Sequence, residues 1–153
     1  MSGAVRAWGE ALAAWAIPDE ILERAPESPW AYATESFRRR AEHAIRPGTE
    51  PTPTIARALE ALPSGGRALD VGVGGGAASL PLAARASELV GVDTSEDMLS
   101  SFREGAERVG VRATTVAGRW PDVAGSTPVA DVAVCAHVLY NVQDLEPFVR
   151  ALH

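Results

Sequence analysis

Lysine is missing from the 153-residue chain, every one of the 14 basic side chains being arginine, and cysteine occurs once. A lone Cys135 excludes an intrachain disulfide. Within the apolar run from Ala130 to Val138 it reads as a small buried thiol rather than a reactive one. An arginine-only basic set is what a GC-rich coding sequence produces, so it carries no functional meaning. Basic residues are also outnumbered by 20 acidic ones, giving a formal net charge of −6. That balance argues against nucleic acid as the main partner, because phosphate-backbone binders carry a basic surplus or a concentrated basic face. The basic run Arg38-Arg39-Arg40 falls in a helical pattern and reads as a solvated face. No stretch approaches the roughly 18–20 apolar residues of a membrane span. The N-terminus lacks the basic-then-apolar order of a signal peptide, so the chain reads as soluble and cytoplasmic, with no membrane partner. No Cys/His/Asp group has metal-ligand spacing, and no metal is expected. What is present, 46% hydrophobic residues, suffices for one ordinary core and one catalytic domain.

The first 62 residues carry helix signals and no convincing strand. Val5, Trp8, Leu12 and Trp15 or Ala16 fall on one face of an amphipathic helix that Pro18 ends. Asp19 to Arg24 reads as a second short helix, followed by a Pro26–Pro29 linker. Helical pattern resumes from Ala33 to Ile45, breaks at Pro47-Gly48, and restarts with Pro53 in a first-turn position before Ile55, Leu59 and Leu62. From Arg67 short apolar strands alternate with helices, the pattern of βαβ units and a mostly parallel, doubly wound α/β sheet. The expected strands are Ala68–Val71, Leu89–Val92, Arg112–Val116 and Ala130–Ala136. Helices are expected at Ala78–Arg85 and Ser95–Val109, with a last one starting near Leu145. The division is therefore residues 1–62 as a helical leader or lid and 63–153 as an α/β core.

The first strand runs into Asp70-Val-Gly72-Val-Gly74-Gly75-Gly76, then Ala77 and a helical pattern. Glycines there permit left-handed backbone and close approach of main chain to a ligand, at the carboxyl end of the strand where cofactors bind in such sheets. Gly72-x-Gly74-x-x-Ala77 by itself also fits a dinucleotide fingerprint. Asp70 separates the two readings. A carboxylate two residues before the first glycine would repel a pyrophosphate but suit a ligand bearing an ammonium and a sulfonium. The second strand ends at Asp93, 21 residues after Gly72, where a carboxylate can accept hydrogen bonds from two ribose hydroxyls. Thr94 reads as an N-cap with Asp97 three residues on, placing Met98 near an adenine edge.

Ala68-Leu-Asp-Val-Gly-Val-Gly-Gly-Gly76 followed by Val90-Gly-Val-Asp-Thr-Ser-Glu-Asp-Met-Leu99 resembles the class I S-adenosylmethionine-dependent methyltransferases, from about Ala56 to His153. The resemblance implies a Rossmann-like fold with S-adenosylmethionine as cofactor. Asp70, Gly72, Gly74 and Gly76 would surround its methionine part, while Asp93, with Thr94 beside it, would hold its ribose. Met98 would pack on adenine, and the Gly118-Arg119-Trp120 loop would lie against the base. Arg119 and Trp120 stand where an acidic residue often accepts the adenine amino group, so stacking is expected instead. Ala136 and His137, in the segment Cys135-Ala-His137-Val-Leu-Tyr140-Asn141, are similar to the post-strand stretch that faces the methyl group or acceptor in small-molecule methyltransferases. His137 either takes a proton from the acceptor or simply packs at the strand end; the sequence leaves both open. Trp8, Trp15, Trp30 and Tyr32 could line an acceptor pocket, although core packing explains them better.

Family members continue beyond this point with three more strands, so a C-terminally truncated form is expected, its fourth strand left as a bare edge that pairs with another copy. The reading is a methyltransferase acting on a small-molecule acceptor. The alternatives are an NAD(P)-dependent oxidoreductase and a catalytically inactive nucleoside-binding fragment.

Overall fold

The computed structural model describes residues 3–26 and 34–153. Helices α1 (Gly3–Ala14), α2 (Asp19–Leu22), α3 (Thr34–Ala44) and α4 (Pro53–Ala61) precede β1 (Gly66–Val71). After it come β2 (Ala86–Asp93), α5 (Glu96–Val109), β3 (Arg112–Ala117), β4 (Val132–Val134) and α6 (Leu145–Arg150). The four strands form one parallel sheet in the order β3-β2-β1-β4, the α/β fold the alternating pattern predicts. Trp30 and Tyr32, named as pocket candidates, lie outside the described residues.

The strand period of two sorts the apolar side chains onto two faces. Ala68 and Leu89 join Leu62, Leu80, Leu82, Leu99, Phe102 and Ala106 beneath α3, α4 and α5. Leu69, Val71, Val90 and Val92 join Trp120 and Phe148 on the opposite face. Glycine makes the first face tight: a Cβ on Gly91 would stand 2.7 Å from the Phe102 ring, and one on Gly105 of α5 2.6 Å from Leu80. Phe102 is wholly buried there, a contribution of roughly 1.5–3 kcal/mol. At the other end of the sheet Arg67 donates to Glu88 at 2.6 Å and to the Val129 carbonyl at 2.8 Å, while Thr114 donates to Glu88 at 2.7 Å. That row ties β1, β2 and β3 together away from the site.

Four expectations need correction. The helix expected at Ala78–Arg85 is a 3-10 turn, Leu80–Ala84; Pro81 sits at its start and β2 begins at Ala86, leaving too few residues for α-helical turns. The N-cap of α5 is Ser95, not Thr94: its hydroxyl accepts from the Met98 N–H at 3.4 Å, which removes the proposed pairing of Thr94 with Asp97, and Thr94 is exposed. β4 covers three residues, Val132–Val134, instead of Ala130–Ala136. Asp131 before it is engaged by the Arg67 N–H at 2.8 Å, and after Val134 the chain leaves the sheet toward a left-handed His137 (φ 59°). Finally, Trp15 is 87% exposed and is not a core residue, whereas the Trp8 indole N–H donates to the Val142 carbonyl at 2.8 Å. α1 is thereby tied to the stretch between β4 and α6. No helix among the described residues is long and apolar enough to cross a membrane.

Candidate cofactor and acceptor site

The carboxyl edge of the parallel sheet gathers the glycine turn after β1, Asp93 at the end of β2, Gly118 after β3 and the Ala136-His137 stretch after β4. Asp93 is the joint between the first three. Its Oδ2 accepts the Gly74 N–H at 2.9 Å and its Oδ1 the Ser95 N–H at 3.0 Å, while its main-chain carbonyl accepts the Gly118 N–H at 2.9 Å. The Gly72 and Val73 N–H groups both donate to the Val92 carbonyl, at 2.8 and 3.0 Å, so the glycine turn hangs from the end of β2. Each Asp93 carboxylate oxygen keeps acceptor capacity beyond its one backbone donor, and the residue is half-buried. This is the donor-acceptor chemistry a ribose diol needs, set by backbone and therefore already oriented.

Gly72, Gly74 and Gly76 hold φ of 72°, 51° and 88°, which side chains other than glycine rarely adopt. Protein side chains occupy the space that their missing Cβ atoms leave. A Cβ on Gly72 would stand 2.3 Å from Val138, one on Gly74 2.9 Å from the Phe37 ring of α3, and one on Gly76 2.7 Å from Phe102. The turn is therefore clasped by α3 on one side and by the segment after β4 on the other. Phe37 and Val138 had no signal in the sequence beyond apolarity. α3 is itself held to α5: Glu42 accepts from Arg38 and, at 3.1 Å, from Arg108.

Asp70 is placed differently from its sequence reading. At 1% exposure it does not line the site; it lies under the turn, accepting a 2.6 Å hydrogen bond from the buried Ser79 hydroxyl. Burial pushes its carboxyl up to about 7, the Asp93 charge adds to the rise, and the Ser79 hydrogen bond opposes it. Ser79 is a further site-supporting residue, and no local pattern in the sequence marks it. Burial, with the Asp70 charge added, pushes the Cys135 thiol up to about 11, so it is no thiolate at neutral pH.

Trp120 also moves from site to core. Its indole is 8% exposed, packs with Leu69, Val71, Val90, Val92 and Phe148, and donates to the Phe148 carbonyl at 3.0 Å, which leaves no ring face for a base to stack on. Arg119 is exposed, Met98 is buried in the first turn of α5, and Ala136 is half-buried beside the exposed His137. Among the described residues no group of His, Cys, Asp and Glu is arranged to hold a metal ion.

The profile of the methyltransferase domain family matches residues 68–153. The chain is 35% identical over 95 residues to a ubiquinone biosynthesis O-methyltransferase of Azorhizobium caulinodans, an alignment covering 62% of this chain and 37% of that protein. A protein of the same name from Marinobacter nauticus is 37% identical over 94 residues, covering 58% and 38%. The alignments thus span little more than a third of these relatives' length. A solved S-adenosylmethionine-dependent methyltransferase of Thiobacillus denitrificans in complex with S-adenosyl-L-homocysteine superposes with a TM-score of 0.50 at 25% identity, over 75% of this chain and 50% of that one. A TehB-like methyltransferase of Corynebacterium glutamicum shares the fold with a TM-score of 0.56 at 21% identity, over 78% and 65%.

Proposed function

Since the chain belongs to the class I S-adenosylmethionine-dependent methyltransferases, we propose that it binds S-adenosylmethionine along the carboxyl edge of its sheet and methylates a small molecule. The observation that carries this reading is the position of Asp93, a half-exposed carboxylate fixed by the Gly74 and Ser95 N–H groups with acceptor capacity to spare. The residues fit the cofactor. Asp93 would hold the ribose, the left-handed turn from Gly72 to Gly76 would face the methionine part, and Met98 and Gly118 would bound the adenine. The buried Asp70 supplies negative charge beneath the turn, suited to a cationic ligand. When bound, the cofactor supplies a methyl group already activated on a sulfonium.

His137 stands exposed where the chain leaves β4, in the left-handed conformation that brings Val138 onto Gly72. In this reading the imidazole takes the acceptor's proton, while positioning of an in-line approach supplies most of the rate. An oxygen acceptor is favoured by the names of the two curated relatives. The N-terminal helices, residues 1–62, serve as the lid. Two contacts support that role: Trp8 on the Val142 carbonyl, and Phe37 on the glycine turn. The net charge of −6 fits a small acceptor in the cytoplasm better than nucleic acid. The same reading has the chain self-associate through β4.

Replacement of Asp93 by Ala is the test. S-adenosylhomocysteine binding is expected to weaken by about 1.5–3 kcal/mol, the scale of charge-assisted hydrogen bonds. Affinity unchanged in a folded variant would remove Asp93 from the site.

A further inference from the structure

Asp70 is a buried carboxyl group that pairs with no basic side chain among the described residues. It is 1% exposed and takes its hydrogen bond, 2.6 Å, from the neutral hydroxyl of Ser79 in the segment before the 3-10 turn. The ionisable groups near it offer no compensation. Asp93, at the end of β2, bears the same sign, and Cys135 comes directly after Val134, the β4 residue opposite Asp70. A carboxylate in this position gains most from a cation arriving at the turn above it.

The identity of that cation rests on the proposed cofactor. S-adenosylmethionine and its demethylated product share adenine, ribose, ammonium and carboxylate; they differ by the methyl group and by the positive charge on sulfur. We propose that Asp70 is a specificity-determining residue that makes this site prefer the sulfonium form over the neutral thioether product, acting by charge from beneath the glycine turn.

The preference depends on the protonation of Asp70. Its carboxyl is pushed up to about 7 by burial and by Asp93. Below that range it is neutral and does not distinguish the two ligands. Above it the carboxylate attracts the sulfonium and has less to attract in the thioether. Binding of the sulfonium form near neutrality therefore releases a proton from Asp70 to solvent, and binding of the product releases less. Transfer of the methyl group removes the charge and with it this attraction, which favours product release.

Calorimetric titration of the 153-residue chain with each ligand, from about pH 6 to about pH 8.5 and in two buffers of different ionisation enthalpy, tests this. The ratio of product Kd to cofactor Kd is expected to rise about fivefold over that range, which corresponds to the sulfonium lowering the Asp70 pKa by about one unit. In Asp70→Asn the ratio is expected to stay flat. In Ser79→Ala, which loses a hydrogen bond favouring the ionised form, the rise is expected to move to higher pH. A ratio independent of pH in the wild-type chain overturns the proposal whether or not either variant folds. Failure of both ligands to bind at any pH is a different outcome, overturning the cofactor reading itself and the proposal with it.

Discussion

A carboxyl group enclosed in a strand interior resists ionisation because its charged form gives up water, and at Asp70 this couples stability to pH. Its folded pKa, about 7, lies above the ordinary value of 3.8. Between those two values the folded state binds more protons than the unfolded one, so this group's contribution is fully present below about pH 4 and is lost as pH rises through about 7. Asp70→Asn keeps an acceptor for the Ser79 hydroxyl and removes the charge. The variant is expected to melt several degrees above the wild type at about pH 8.5 and by a smaller margin at about pH 5, where the folded group is still neutral and only the unfolded one is ionised. Melting curves measured by circular dichroism at both pH values check this. An equal loss at both would show that the carboxylate is needed for structure. Asp93 has the contrasting environment, half-exposed and held by two backbone donors, and that is why the proposed ligand-binding role is given to it.

At the scale of elements, the strand-turn-strand unit from β1 to β2 was legible because its signals are local. Glycine clusters mark a backbone that side chains would block, and an acidic residue at the end of the next apolar run marks its carboxyl end. All four strands lie on the expected apolar runs, the fourth shortened to Val132–Val134. The 3-10 turn at Pro81 and the shift of the cap from Thr94 to Ser95 are local misreadings, whereas the site residues that failed depended on distant partners. Trp120 reads as a stacking platform from its loop position, but Phe148, 28 residues on, encloses it and accepts its N–H. The clasp of Phe37 on Gly74 joins a leader helix to the core across sequence that shows no link. That clasp changes what a glycine substitution does. A Cβ at residue 74, where φ is 51°, would stand 2.9 Å from the Phe37 ring, so Gly74→Val must displace that ring as well as strain the turn. The variant is expected to lose ligand binding and also about 1–3 kcal/mol of stability. Urea denaturation beside a binding titration checks both. Lost binding with unchanged stability would mean that the Phe37 ring gives way freely.

For the whole molecule, the edge strands of the sheet among the described residues are β3 and β4, each with one neighbour. β4 is apolar throughout, Val132-Ala133-Val134, with the nearest charge on Asp131 turned to the Arg67 N–H. Its free edge is a template for another strand, and neither proline nor charge within it opposes pairing. The 153-residue chain is therefore expected to associate through β4 about a two-fold axis, with a melting temperature that rises with concentration. Light scattering over a wide dilution series checks this. A monomer at all concentrations, with a constant melting temperature, would show the edge to be protected.

On the proposed reading, the turn beside Asp93 takes S-adenosylmethionine rather than a dinucleotide. Isothermal titration of the chain with S-adenosylhomocysteine and, separately, with NAD decides between them. Saturable one-to-one binding of S-adenosylhomocysteine and no heat with NAD is the predicted result. Saturable NAD binding without S-adenosylhomocysteine binding would contradict it.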